Sequence, residues 1–369
     1  MIKVLEIVSE LASGGVENLL LNYFTENDVF KDFTIEFLSY SDKGIVKDKL
    51  EKQGFTVYTA TPKRKSLRKF YKETKNVIEK GNYDIVHVHQ NHMSFIPLKI
   101  AKKCGVKNRI VHSHNNKIGH ESWSKALINR CLRKLCFIYA NNYWACGKRA
   151  GEWLYGVNCK KNVFIMPNAV SGNKYRLISE ERISAIRESY GIEKKNVIIQ
   201  VGRLVSEKNQ LFSLQILKEI IKENKEYELL FVGDGPDRDL LEKKVIGEGL
   251  TDYCKFLGNI SNVTEIYSIA NVLLLPSLFE GLPVTIIESQ FMGIPSIISN
   301  NVTEEVLITN LVKQLPLDNV SLWKDLVLSL DINSIKNEYD KNRNIMNSSV
   351  YEIQNARLLL KEKYSAMVR

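Results

Sequence analysis

Three absences narrow what this 369-residue chain can be. No stretch approaches the roughly 18 consecutive apolar residues that a membrane-spanning helix needs. The six cysteines, Cys104, Cys131, Cys136, Cys146, Cys159 and Cys254, include no C-x-x-C pair. Buried reduced thiols are therefore expected, not a disulfide framework or a zinc site. The dinucleotide fingerprint G-x-G-x-x-G is missing as well. What remains is ordinary: 44% hydrophobic, 9% aromatic and 25% charged residues, which excludes a disordered or collagen-like chain. The first residues, MIKVLEIVSE, read as a strand that starts at once, with no signal-peptide core, so a cytosolic protein is expected. At this length two domains are expected, not one.

Charge is unevenly spread. Residues 1–170 carry 28 basic and 15 acidic side chains, whereas 171–369 carry 24 and 27. The densest basic run is Lys63-Arg64-Lys65-Ser66-Leu67-Arg68-Lys69-Phe70-Tyr71-Lys72. A basic half suits nucleic acid, an anionic membrane or an anionic substrate, and a merely solvated helix face also accounts for the run.

Short apolar runs alternate with helical periodicity along the whole chain. Strands are expected at 3–9, 34–38, 85–89, 109–113, 143–145 and 163–166, with helices at 15–25 and 67–80 among them. A second series follows, with strands at 196–201, 227–232, 254–257, 272–276 and 296–298. Helices are expected at 210–223, 237–248, 262–269 and 285–292 between them, and a last one at 350–367. Strands separated by helices imply parallel sheets covered on both faces. The expected architecture is α/β, with two doubly wound domains: 1–170, 171–349, and a terminal stretch 350–369 free to pack back across the first domain. Ligands of such domains lie beyond the carboxyl ends of the strands, and every motif below falls at such an end.

The first motif is the loop Ser9–Glu17 with Gly14-Gly15, where backbone amides can approach a phosphate at a helix N-terminus; a plain tight turn is the other reading. The second is a histidine group, in which five of the six histidines fall in Asp84–His92 and Val111–Asn115. Alternation sends His87 and His89 to one face, and likewise His112 and His114. No Asp, Glu or Cys accompanies them at ligand spacing, so no metal is expected. His114, outermost on its strand, is the candidate for substrate contact or proton transfer; His87 and His112 also fit a buried structural role. In the third motif, Gly202–Asn209, Arg203 and Lys208 bracket a turn into a helix, as a clamp for diphosphate oxygens would. The fourth, Leu275–Glu288, sets Glu280 in a loop and Glu288 a turn inside the next helix. Gly281 and Pro283 shape an N-terminus suited to an anion. Asp237-Arg238-Asp239 reads as charge at a helix start, not a metal site.

These elements together resemble the retaining nucleotide-sugar glycosyltransferases of family 4, which have the GT-B fold of two Rossmann-like domains facing across a cleft. The resemblance runs through Gly14-Gly15, residues 84–89, Pro167-Asn168-Ala169-Val170, Gly202-Arg203-Leu204 with Glu207-Lys208-Asn209, and Val232-Gly233-Asp234-Gly235-Pro236. It continues through Phe256-Leu257-Gly258 and Glu280-x7-Glu288. His-Ser-His-Asn looks like the capsule and exopolysaccharide branch.

The resemblance implies that Arg203 and Lys208 neutralise the donor diphosphate, that Glu288 holds the ribose and that Glu280 contacts the transferred sugar. Backbone amides from Gly281 through Leu282 and Pro283 to Val284 would face the phosphate, with Gly202 beside them and Leu257-Gly258 near the nucleobase. His114 would stand beside the transferred sugar, while Gly14, Gly15, His89 and Asn168 would line the acceptor side. Fixed cations stabilise the charge growing on the leaving diphosphate, so no metal and no cofactor are called for. Retention by double displacement would need a nucleophilic carboxylate; the family is usually assigned a same-face transfer. Ala169 in place of glycine and Ser289-Gln290-Phe291-Met292 in place of an Ala-containing run depart from the common pattern and touch donor identity.

The expected activity is transfer from a UDP-sugar to a lipid-linked saccharide in surface polysaccharide synthesis. The basic half would sit peripherally on the inner face of the cell membrane, where each Lys or Arg contributes about 1 kcal/mol. The alternatives are a sugar-nucleotide epimerase of the same design and, from another class, a non-catalytic anion- or nucleic-acid-binding protein. The latter would show basic residues interleaved with aromatics, and no such stripe is present.

Overall fold

The computed structural model describes residues 1–12, 15–114, 123–156, 159 and 162–369, with the backbone alone over 123–127. Gly14 and Asn115 fall outside these residues. The chain divides into two units, Met1–Ala169 with Ile353–Arg369, and Val170–Glu352.

The first unit is built on a seven-stranded sheet. Its strands are β1 (Ile2–Val8), β2 (Phe33–Ser39), β3 (Thr56–Thr59), β4 (Ile85–Val88), β5 (Asn108–Ser113), β6 (Asn142–Ala145) and β7 (Val163–Ile165). They lie in the order β3-β2-β1-β4-β5-β6-β7, all parallel. The near-continuous apolar runs of the central strands follow from this, because helices bury both faces of the sheet. One face packs Leu5, Ile7 and Val86 against Phe70, Leu98 and Trp153. The other packs Val4, Val8 and Ile110 against Leu20, Tyr23 and Leu360.

The order reverses between β1 and β4, the switch point at which a doubly wound sheet opens a crevice beyond its carboxyl ends. A cavity of about 760 Å³ lies at these ends. Ser9, Glu10, Gln90 and the Lys63-Arg64-Lys65 turn are among the residues lining it. Past that turn Ser66 caps the helix Leu67–Gly81, accepting from the Lys69 amide. This helix buries Phe70, Thr74 and Ile78 and leaves Arg68, Lys69 and Lys72 in solvent beside Leu67, itself 62% exposed.

The final helix, Ile353–Val368, packs on the first unit through Ile353, Ala356, Leu360 and Tyr364. Its buried Arg357 donates to the carbonyls of Asn22, Tyr23 and Thr25, where the helix Gly15–Phe24 ends. A cation on the free carbonyls of a helix terminus is favourable, and leaving them buried and unpaired would cost about 1–3 kcal/mol.

The second unit repeats the plan with β8 (Asn196–Val201), β9 (Tyr227–Val232), β10 (Cys254–Gly258), β11 (Val272–Leu275), β12 (Ser296–Ser299) and β13 (Val312–Leu315). The order is β10-β9-β8-β11-β12-β13, again parallel, with its switch point between β8 and β11. Glycine is required where the turns after β8 and β9 meet. At Gly233, φ is +128° and an added Cβ would lie 2.2 Å from the Gly202 carbonyl oxygen; at Gly235 it would lie 2.2 Å from that of Leu204. The Gly-Asp-Gly-Pro sequence thus seats one loop on the other, and Leu204 donates to the Asp234 carbonyl at 3.0 Å. Arg238 opens the helix Arg238–Gly247, with Asp239 in its first turn and Asp237 just before it.

Candidate active site

In the first unit His87, His89, His112 and His114 gather at the ends of β4 and β5, around a carboxylate. Glu6 stands in the middle of β1 and is wholly buried, as are His87 and His112. Its Oε2 lies 2.7 Å from His89 Nε2 and 3.2 Å from His87 Nδ1. Its Oε1 accepts from the Tyr364 hydroxyl at 2.6 Å. The rings then continue outward, with His87 Nε2 3.0 Å from His112 Nδ1 and His89 Nδ1 2.8 Å from His114 Nε2. Trp144 closes the group, edge-on to His87 and stacked on Tyr364.

This corrects one expectation from sequence. A carboxylate does accompany the histidines, brought from more than eighty residues away by the β1–β4 pairing. The signal was a lone Glu inside the apolar run Val4–Val8, because a charge in a central strand needs built partners. Burial works against ionisation of Glu6, but the charge and hydrogen bonds of His87 and His89 hold its carboxyl well below the usual range. Burial pushes His87 down to about 4 and, together with the neighbouring rings, carries His112 and His114 well below an ordinary imidazole. His87, His89 and His112 bring ligand atoms within 4.8 Å of one another, alone in doing so among the described residues. Their ring nitrogens are engaged with each other, Glu6, Tyr364 and His114, except His112 Nε2, which is buried without a partner among the described residues.

The other candidates in this unit are more loosely defined. Gly15 opens its helix in free space, where an added Cβ would meet nothing within 4 Å. Packing therefore does not demand glycine there. Asn168 presents a buried Oδ1 with no partner among the described residues.

In the second unit the third and fourth motifs meet at the β8/β11 switch point. Gly202, with φ +148°, ends β8 and turns the chain into Arg203 and the Ser206–Lys208 turn. Lys208 Nζ lies 2.5 Å from Glu280 Oε1, which also accepts from Ser277 Oγ at 2.8 Å. The two loops are also joined through the Leu278 amide on the Glu207 carbonyl, and Asn209 Nδ2 on that of Pro276. Arg203 is exposed, and no side-chain partner engages its guanidinium among the described residues.

Beyond Glu280, residues Gly281, Leu282 and Pro283 lead into the helix Val284–Phe291, whose N-terminus no side chain caps. Thr285 Oγ1, in its first turn, is buried without a partner among the described residues. Glu288, one turn in, accepts from Tyr175 at 2.6 Å and Tyr267 at 2.7 Å, one on each oxygen. Burial raises its pKa against the pull of those two hydrogen bonds. Both tyrosines escaped sequence reasoning, lying 113 and 21 residues from Glu288. Leu257 and Gly258 end β10, and Gly258 accepts from the Gly233 amide at 2.7 Å.

Lys208 and Glu280 thus meet at the β8/β11 switch point, with Arg203 in the turn that leads to Lys208 and the helix terminus four residues beyond Glu280. Glu288 lies one turn further along that helix. The histidines form a separate group in the first unit.

Comparison with known proteins agrees with this layout. Residues 182–348 match the family described as Glycosyl transferases group 1. The capsular polysaccharide biosynthesis glycosyltransferase CapH of Staphylococcus aureus is 28% identical over 373 residues, 99% of either chain. A Campylobacter jejuni α-1,4-N-acetyl-D-galactosaminyltransferase, named for a diNAcBac-PP-undecaprenol-linked saccharide, is 27% identical over 81% of this chain and 80% of its own. Among solved structures, Anabaena Alr3699/HepE in complex with UDP-glucose superposes with a TM-score of 0.82 at 17% identity, over 99% of this chain and 100% of HepE. The chain, with a group 1 domain in its second unit and Rossmann-like sheets in both, is therefore a glycosyltransferase of the GT-B fold.

Proposed function

We propose that the chain transfers a sugar from a UDP-sugar, with retention of anomeric configuration and without a metal ion, to a lipid-linked saccharide of a surface polysaccharide. The observation that carries this reading is the grouping at the β8/β11 switch point. A guanidinium with no side-chain partner among the described residues, an ammonium held on a carboxylate and a helix N-terminus without a side-chain cap are carried on the two loops that meet there.

Cleavage of the sugar–phosphate bond moves negative charge onto the departing diphosphate. Arg203 and the amides at Val284 and Thr285 are donors that can take up that charge without reorganising. Lys208, already on Glu280, would bridge the phosphate and that carboxylate, which leaves Glu280 free to orient sugar hydroxyls. Glu288 keeps lone pairs for the ribose beyond those used by Tyr175 and Tyr267. His114 is proposed to contact the transferred sugar. HepE, of the same fold, binds UDP-glucose, and the CapH and Campylobacter relatives supply the polysaccharide and undecaprenol-diphosphate context.

The cavity beyond β1–β4 is proposed as the acceptor side, with Lys63, Arg64 and Lys65 facing the acceptor's phosphates. Arg68, Lys69, Lys72 and exposed Leu67 would rest on an anionic membrane surface.

Titration of UDP into the purified protein in EDTA tests the donor half. Saturable binding at one site per chain is expected. Heat that appears only after Mg²⁺ or Mn²⁺ is restored would overturn metal independence, and no response to UDP while GDP binds would overturn the choice of base.

A further inference from the structure

The turn that carries Arg203 and Lys208 is held by two buried glutamines. Gln200, 2% exposed, stands in β8 within the apolar run Val197–Val201. Its Nε2 donates to the Lys208 carbonyl at 2.8 Å, while its Oε1 is buried without a partner among the described residues. Gln210, 3% exposed, opens the helix Gln210–Glu223 and donates through Nε2 to the Arg203 carbonyl at 3.0 Å. A carbonyl only accepts, so the nitrogen of each amide is the atom that faces it. Both side chains are neutral, and neither hydrogen bond depends on the ionisation of any group.

On stability alone, position 200 favours an aliphatic side chain. β8 lies inside a parallel sheet, where a buried acceptor without a partner is costly. The amide is matched instead to Lys208, whose course is fixed at three points. Its carbonyl rests on Gln200, its Nζ lies 2.5 Å from Glu280 Oε1, and its stem crosses Gly202, where an added Cβ would lie 3.4 Å from Lys208 Cε. Arg203 has its main chain fixed on both sides, by Gln210 at its own carbonyl and by the Leu204 amide on the Asp234 carbonyl. Its side chain stays exposed.

We propose that Gln200 and Gln210 are positioning residues of the diphosphate site, each fixing the main chain of one cation so that both stand ready before the donor arrives. The inference rests on the reading of Arg203 and Lys208 as the donor's cations. Groups set in place beforehand stabilise the leaving diphosphate without reorganising, and a loosely held site loses that advantage. Being buried, neither glutamine meets the donor; each acts through the residue it holds.

A double-mutant cycle read by UDP calorimetry tests Gln210. Gln210→Met is expected to weaken UDP binding about fivefold to tenfold, but less than about twofold once Arg203→Ala is present. Equal losses in both backgrounds would overturn action through Arg203, as would unchanged affinity in Gln210→Met; Gln210→Ala takes its place in the cycle if the methionine variant fails to fold. Gln200→Leu is expected to weaken UDP binding about fivefold without lowering the unfolding midpoint. Unchanged affinity would leave Gln200 no part in the site. If affinity and midpoint fall together, the cycle with Lys208→Met decides, since a loss exerted through Lys208 vanishes in that background and a general loosening does not. Full UDP affinity in Arg203→Ala would sink the diphosphate site itself. Weakening there with none in Gln210→Met would leave that site standing and overturn the inference alone.

Discussion

Arg203→Ala is expected to weaken UDP binding about 10- to 100-fold while leaving the thermal unfolding midpoint unchanged. The guanidinium is exposed and has no side-chain partner among the described residues, so the folded protein loses little when it goes. A bound diphosphate would lose one charge-assisted hydrogen-bonding group, worth about 1.5–3 kcal/mol, which is the source of the fold-change. Arg203→Lys should recover part of the loss, because an ammonium keeps the charge without the planar fork. Calorimetry and a melting curve on the same samples check both halves. Unchanged UDP affinity would remove Arg203 from the site, and a lowered midpoint would make it a structural residue.

Glu280→Ala is expected to separate binding from transfer. Glu280 engages Lys208 at 2.5 Å and Ser277 at 2.8 Å. Removing the carboxylate frees a cation to face the diphosphate, so UDP should bind at least as tightly as before. The transferred sugar would lose its orienting group, and kcat should fall about 100- to 1,000-fold, the range of a lost preorganised contact. Glu280→Gln keeps an acceptor for both neighbours and should lie between the two. Steady-state kinetics beside UDP calorimetry gives the split. A parallel fall in UDP affinity and kcat would mean that the pair merely holds the loop.

How far these sites were legible from sequence depended on sequence distance. The Gly202–Asn209 and Leu275–Glu288 segments carry their charged residues within a few positions of one strand end, and the β8/β11 pairing unites them. Glu6 and the histidines are parts of one group on three strands, and Tyr364 arrives from the far end of the chain. Only the sheet order shows that they meet. The strands tell the same story. The buried centres β1, β4, β8 and β9 announce themselves as apolar runs. β3 and β13 went unread: Thr56–Thr59 and Val312–Leu315 are sheet edges with little of the strand buried, so no apolar pattern marks them.

Glu288 shows another limit. Its place in the helix was readable, yet Tyr175 and Tyr267, which occupy an oxygen each, come from elsewhere in the unit. The helix Leu67–Gly81 lies between these cases. Its basic run was plain, but which residues face solvent followed from the burial of Phe70, Thr74 and Ile78.

The most direct measurement is a transfer assay in EDTA with a panel of UDP-sugars and a short undecaprenyl-diphosphate-linked saccharide, with the product's anomeric configuration read by NMR. The account predicts release of UDP coupled to a new glycosidic bond that keeps the donor's configuration, and loss of both products in Arg203→Ala at subsaturating donor. An inverted product, or transfer that requires an added divalent metal, would contradict it.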